Sequence, residues 1–165
     1  GNIVTEERHA DSFNRLKVSS GIDAIITQGE EESIKVIADE ILLEYIKTEI
    51  YDNTLKIYTN ANIRHAKSKE VHIVYKQLQK IDISSAGDVE GTNRMKADDL
   101  DLDLSSAGDL TLDVEAISIT CNISSAGDAH LSGTADELDA DLSSAGDLNA
   151  YDLVVRKARV ILRRR

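Results

Sequence analysis

Four aspartates recur at near-constant spacing. Asp88, Asp109, Asp128 and Asp147 each close a copy of the pentapeptide Ser-Ser-Ala-Gly-Asp, and the copies start at Ser84, Ser105, Ser124 and Ser143, spaced 21, 19 and 19 residues apart. If the copies stack in register, four carboxylates stand one above another. Two unit charges about 5 Å apart repel by roughly 1 kcal/mol in water and about 3–4 kcal/mol at an intermediate dielectric. Ca²⁺ would relieve that repulsion, because carboxylate and serine oxygens are hard ligands. The alternative is that each Asp accepts backbone N–H groups in its own corner and splays into water. Ca²⁺ asks for about six to eight oxygens, and the Gly-Gly-x-Gly-x-Asp spacing of Ca²⁺-binding solenoids is missing. The expectation is therefore a scaffold without metal or cofactor, with a Ca²⁺ ladder as the minority reading.

A second acidic set, Asp101, Asp103, Asp139 and Asp141, falls on one exposed strand face. Retaining glycosidases need two carboxyl groups about 5 Å apart, which stacked rungs can supply. Such pairs arise in any acidic ladder, however, and no basic residue is interleaved with these. His9, His65, His72 and His130 are scattered. Cys121 is single and shares the parity of Ile119 and Ile123, so it reads as a core thiol without an activating neighbour. No catalytic residue is assigned, and the chain is expected not to be an enzyme.

These residues are held by alternating segments. Leu100, Leu102 and Leu104 alternate with Asp101 and Asp103, Ile117, Ile119, Cys121 and Ile123 with Ser118, Thr120 and Asn122, and Leu138, Ala140 and Leu142 with Asp139 and Asp141. Period-two alternation gives strands with one buried face. Ser-Ser-Ala-Gly-Asp is the corner between them, with Gly87, Gly108, Gly127 and Gly146 supplying backbone angles that other residues avoid. A second, less regular corner falls at Ala97–Asp99, Val114–Ala116, Gly133–Glu137 and Tyr151–Asp152. Identical corners at one interval mark a coil in which each turn lies on the last. The reading is all-β: a single-stranded β-helix, flattened into two parallel sheets, with about 20 residues per rung and rungs about 4.8 Å apart.

The whole chain, 1–165, reads as one domain, with irregular coils over 1–80 and regular repeat coils over 81–165. In the first part, Ser19-Ser20-Gly21 is a degenerate corner between Leu16, Val18 and Ile22, Ala24, Ile26. Residues 39–50 fit either a short helix capped by Asp39 or an irregular strand. Residues 60–69 read as a polar loop. A fifth corner would begin at 162–164, where Arg163-Arg164-Arg165 stands instead. This reads as a departure from a longer parent, with a basic cap on the last rung as the alternative.

The net charge is −11, aromatic residues make up 4%, and Pro and Trp are absent. Residues 84–155 carry −14, whereas residues 156–165 hold six Lys or Arg and no acid. An acidic body repels phosphate, which argues against nucleic acid as a partner. No apolar run approaches the roughly 20 residues of a membrane span. The five tyrosines have no common spacing and are expected at sheet margins or the core's polar edge. An export signal cleaved ahead of Gly1 is compatible with the sequence.

The segment Phe13–Gly29 (FNRLKVSSGIDAIITQG), the strand at Leu55–Tyr58 and the Ser-Ser-Ala-Gly-Asp ladder together resemble the head GIN domain family of auto-transporter adhesins. Gly21-Ile22-Asp23 carries Asp where the name-giving tripeptide has Asn. The resemblance covers nearly the whole chain. It implies a right-handed β-helix, export to the cell envelope or beyond, and an adhesive role without catalysis toward a host glycan or matrix protein. A structural or assembly module of the envelope is the alternative, and a polysaccharide-active enzyme a lesser one. A homo-oligomer would fit the auto-transporter analogy, although the sequence has no heptad stalk.

Overall fold

A computed structural model describes residues 2–60 and 69–164. His65, Arg165 and most of the polar loop lie outside the described residues. The strands are β1 (Ile3–Arg8), β2 (Arg15–Val18), β3 (Asp23–Gln28), β4 (Ser33–Asp39), β5 (Ile46–Tyr51), β6 (Thr54–Thr59), β7 (Lys69–Tyr75), β8 (Lys80–Ile83), β9 (Asp88–Gly91), β10 (Met95–Leu104), β11 (Asp109–Ile123), β12 (Asp128–Ser143) and β13 (Asp147–Arg163).

The alternation in the sequence produces the architecture directly. The inner rungs bury about every second residue, the last strand, β13, is mostly exposed, and successive rungs pair parallel and in register: Leu102 with Cys121, Cys121 with Ala140, and Ala140 with Val160. The repeat coils form a parallel β-solenoid of about four turns with about 20 residues per turn, and the coil of residues 15–28 stacks on its first rung. Its interior is an aliphatic stack. Leu102, Leu104, Leu110, Val114, Ile119, Cys121, Ile123 and Ala140 are all buried. Stability therefore lies between rungs, since one rung alone leaves its apolar side in water.

The corner geometry corrects one expectation. In each pentapeptide the positive φ angles fall on the second Ser and the Ala, not on the Gly: 48° and 64° at Ser106 and Ala107, with the same pattern in the other three copies. Gly108 N–H donates to Ser105 O at 2.9 Å, which closes a tight turn with both central residues left-handed. The Gly is required for space. A Cβ on Gly108 would stand 2.6 Å from the carbonyl oxygen of Ile83, one rung away. The strained Ser-Ala pair is held by a ladder of its own: Ala86 N–H reaches Ser106 O, Ala107 N–H reaches Ser125 O, and Ala126 N–H reaches Ser144 O, at 2.9–3.0 Å.

The N-terminal part departs from simple succession. β2 pairs with both β6 and β8, and β3 with both β7 and β9, all parallel. The coil of residues 15–28 is thus sandwiched between the later coils of 54–75 and 80–91. β5 runs antiparallel on β6, and β4 antiparallel on β7 and β1, so antiparallel strands cover this end of the stack. Residues 39–50 combine both alternatives. Asp39 caps a 3-10 turn at Glu40–Tyr45, its carboxylate accepting from Ile41 N–H at 3.2 Å, and β5 follows. Tyr75 is fully buried rather than marginal, and burial raises its phenol pKa.

The second corner also shifts. The rungs pair through Ala97, Ala116, Ala135 and Val155, and again through Asp99, Ser118, Glu137 and Lys157. The bend is therefore at Asp98, Ile117, Asp136 and Arg156, while Val114 is core. The irregularity at Tyr151–Asp152 is a bulge against His130 and Ser132.

Candidate functional site

At the Ser-Ser-Ala-Gly-Asp edge the four aspartates do stack. Asp88 pairs with Asp109, Asp109 with Asp128, and Asp128 with Asp147. The ladder is longer than the motif. Asp23 aligns with Asp88, and Glu70 with Asp23, giving six carboxylates in register. Asp23 was legible: Ser19-Ser20-x-x-Asp23 matches Ser84-Ser85-x-x-Asp88, and Ile22 N–H repeats the corner bond to Ser19 O at 3.3 Å. Glu70 carries no corner signal and is placed by the inserted coil.

Among the described residues no hydrogen bond reaches the carboxylates of Asp88, Asp109 or Asp147. The scaffold reading expected them to accept N–H groups from their own corners, and these three do not. Burial, then Asp109, Asp23 and Glu90, raises the pKa of Asp88. Burial, then Glu70, raises that of Asp23, with Lys69 opposing. His130 Nε2 lies 3.4 Å from Asp128 Oδ2, while Asp128 Oδ1 is closed off from solvent without a partner. One ligand atom each from Asp109, Asp128 and His130 falls within 4.8 Å of the others. Two carboxylates and an imidazole suit a transition metal better than Ca²⁺, which prefers an all-oxygen shell.

Across the rungs the other acidic set is not brought together. Thr120 stands between Asp101 and Asp139, and Asn122 between Asp103 and Asp141. The pairs are two rungs apart, roughly 9.6 Å, too far for a retaining pair. Asp103 instead neighbours Asp82, and burial followed by that charge raises its pKa. Asp141 is held below the usual carboxylate range by Arg163, whose Nε donates to both its oxygens at 2.9 and 3.0 Å. The three described histidines each face a carboxylate: His9 with Asp11, His72 with Glu70, and His130 with Asp128. Cys121 is fully buried, and burial pushes its thiol up to about 12, with Asp101 and Asp103 adding to the rise.

The opposite edge carries a feature that sequence reasoning missed. Three depressions, of about 560, 720 and 370 Å³, follow the second corner, and each shares a wall residue with the next: Gln77, then Glu115. Ile117 lines the middle one and is 54% exposed. Its period-two parity with Ile119 put it in the core, but the chain bends between Ala116 and Ser118 and turns it out.

A family model described as "Putative auto-transporter adhesin, head GIN domain" matches residues 12–163. The chain belongs to this family. As a head GIN domain it has the expected relatives in shape. A "putative adhesin" from Bacteroides fragilis superposes with a TM-score of 0.92 at 19% identity, over 99% of this chain and 77% of that one. A "putative adhesin" from Parabacteroides distasonis gives 0.76 at 22%, over 99% and 79%. A "putative lipid binding protein" from the same organism gives 0.76 at 19%, over 98% and 79%. At these identities the likeness is one of fold. No curated protein matches the sequence. Among the described residues no helix is long and apolar enough to cross a membrane.

Proposed function

We propose that this head GIN domain is a non-enzymatic binding module of the cell envelope or cell surface, presenting a rigid face to a glycan or a matrix protein. The family name and the adhesin names of its structural relatives support an exported, adhesive role. The observation that carries the reading is the register. Outer-face positions stack in register from rung to rung, with one shift after His130, and at the corner the same side chain recurs from Asp88 through Asp109 and Asp128 to Asp147. Corners hydrogen-bonded to one another hold that spacing. A surface so fixed loses little conformational freedom when a ligand binds, and preorganisation of this kind favours affinity.

The test is a binding panel of host glycans and matrix proteins, run with Ca²⁺ and with chelator. Saturable binding of one ligand class without turnover supports the reading. Loss in chelator would assign the Asp ladder a metal. Release of unsaturated sugar products would replace the module with an enzyme. No binding in either condition would favour a structural role in the envelope.

A further inference from the structure

We propose that the trough along the second corner is the binding surface of this module, and that it takes an extended basic polypeptide segment with apolar residues between its charges. This deepens the binding-module reading and rests on it.

Among the described residues, the large exposed apolar side chains other than Ile117 lie in β1, the 3-10 turn, β5 and β13, the elements at the two ends of the stack. Ile117 stands in mid-stack, among rungs whose equivalent positions are Asp98, Asp136 and Arg156. A corner that elsewhere faces water with charge here faces it with a branched aliphatic chain. Leu78, buried in the wall of the same depression, and half-buried Ala97 extend the apolar floor. Val154, exposed in the adjoining depression, adds a second aliphatic side chain, and an apolar surface rimmed by polar groups is the arrangement of an interaction site.

The trough walls carry Glu30, Glu32, Asp98, Asp99, Glu115 and Asp136 against Lys76, Lys96 and Arg156. Asp99 accepts from Ser118 at 2.6 Å, and Asp136 faces Arg156 at 3.6 Å. Among the described residues no hydrogen bond or ion pair reaches the carboxylates of Asp98 and Glu115. Two unpaired acids beside an apolar centre complement a chain that alternates basic and aliphatic residues, and they disfavour an anionic glycan. No aromatic residue lines the middle depression, so a sugar ring has no stacking platform there.

From the coil of Asn14 to that of Arg156 the trough crosses five rung intervals, roughly 24 Å, which an extended segment of about seven residues spans.

The experiment is fluorescence anisotropy with a labelled octapeptide of alternating lysine and valine, against the full chain and two variants, Ile117→Asp and the double variant Asp98→Lys/Glu115→Lys. Ile117→Asp discriminates because it makes the trough more acidic. The proposal requires it to weaken binding by about tenfold or more, whereas plain charge attraction would strengthen binding. The double variant should abolish binding, and an all-lysine octapeptide should bind about tenfold more weakly than the alternating one. Circular dichroism checks that each variant keeps its strand content.

Equal or tighter binding by Ile117→Asp would overturn the proposal. So would a neutral or sulfated glycan that binds the wild type and is lost in Ile117→Asp while the peptide does not bind; the binding-module reading would then stand. Matrix proteins that bind without regard to Ile117 would overturn the trough alone. Absence of binding to peptide, glycan and matrix protein would overturn both.

Discussion

Gln28 and Lys96 are joined side chain to backbone by a pair of hydrogen bonds: Gln28 Oε1 accepts from Lys96 N–H at 2.8 Å, and Gln28 Nε2 donates to Lys96 O at 3.1 Å. Nε2 also donates to Lys76 O at 2.9 Å. Asn93 returns the arrangement, its side-chain amide bonding both Gln28 N–H and Gln28 O at 2.9 and 3.0 Å. Two side-chain amides thus span the gap where β9 stops at Gly91 and β10 has not begun. This gap lies in the repeat interval that is 21 residues long instead of 19.

Gln28→Ala should cost about 1–2 kcal/mol, since partly exposed hydrogen bonds contribute about 0.5–1.5 kcal/mol each and water recovers some of the loss. Gln28→Glu should not rescue it, because a carboxylate would face the carbonyls of Lys76 and Lys96. Urea unfolding of the two variants checks this, and wild-type stability in Gln28→Glu would refute the account.

The corners invert the usual reading of Ala and Gly. Ala107 sits at φ 64°, where an L-residue is strained by about 1–2 kcal/mol. Ala107→Gly should therefore be neutral or stabilising by up to about 1 kcal/mol, the relief of strain offset by the greater freedom of Gly in the unfolded chain. Gly108→Ala should be strongly destabilising, by about 2 kcal/mol or more, because the new methyl meets the Ile83 backbone. Thermal melts of the pair decide it. A Gly108→Ala protein as stable as wild type would mean that the rungs can separate.

The acid ladder sets a pH dependence. Asp23, Asp88 and Asp103 have raised folded pKa values, so the native state binds protons more readily than the unfolded chain. A raised carboxyl destabilises the fold above its folded pKa, and the penalty disappears as pH falls toward the ordinary aspartate value of about 4. Stability should rise from pH 7 to about pH 4.5. The Asp141–Arg163 pair has the opposite sign, but its contribution is lost only at lower pH, through the depressed Asp141 value. Asp88→Asn should raise the melting temperature at pH 7 and flatten the profile. A melting temperature that falls steadily from pH 7 to 4.5 would contradict this.

Ile117 and Ile119 are two residues apart and should behave as opposites. Ile119 is buried between rungs, and Ile119→Ser should cost about 3 kcal/mol or more through the cavity and the buried hydroxyl. Ile117→Ser should lie within about 0.5 kcal/mol of wild type, as surface substitutions generally do. Chemical unfolding of both tests the placement of the bend independently of any ligand.

The sequence by itself determined the repeat, its period near 20, the parity that buries Leu102, Cys121 and Ala140, and the stacking of Asp88, Asp109, Asp128 and Asp147. These follow from local rules: alternation selects a strand face, and identical corners permit identical stacking. Asp23 was within reach of the same rule through Ser19-Ser20-x-x-Asp23. Only the tertiary structure decided the rest. The placing of the 54–75 coil beneath the 15–28 coil, and with it the entry of Glu70 into the ladder, depends on pairing between distant strands that no local pattern encodes. The division of labour in the corner, with strain on Ala107 and space at Gly108, depends on the carbonyl of a neighbouring rung. Ile117 faces water because the bend falls one residue past Ala116, where the register across rungs overrides the alternation along the strand.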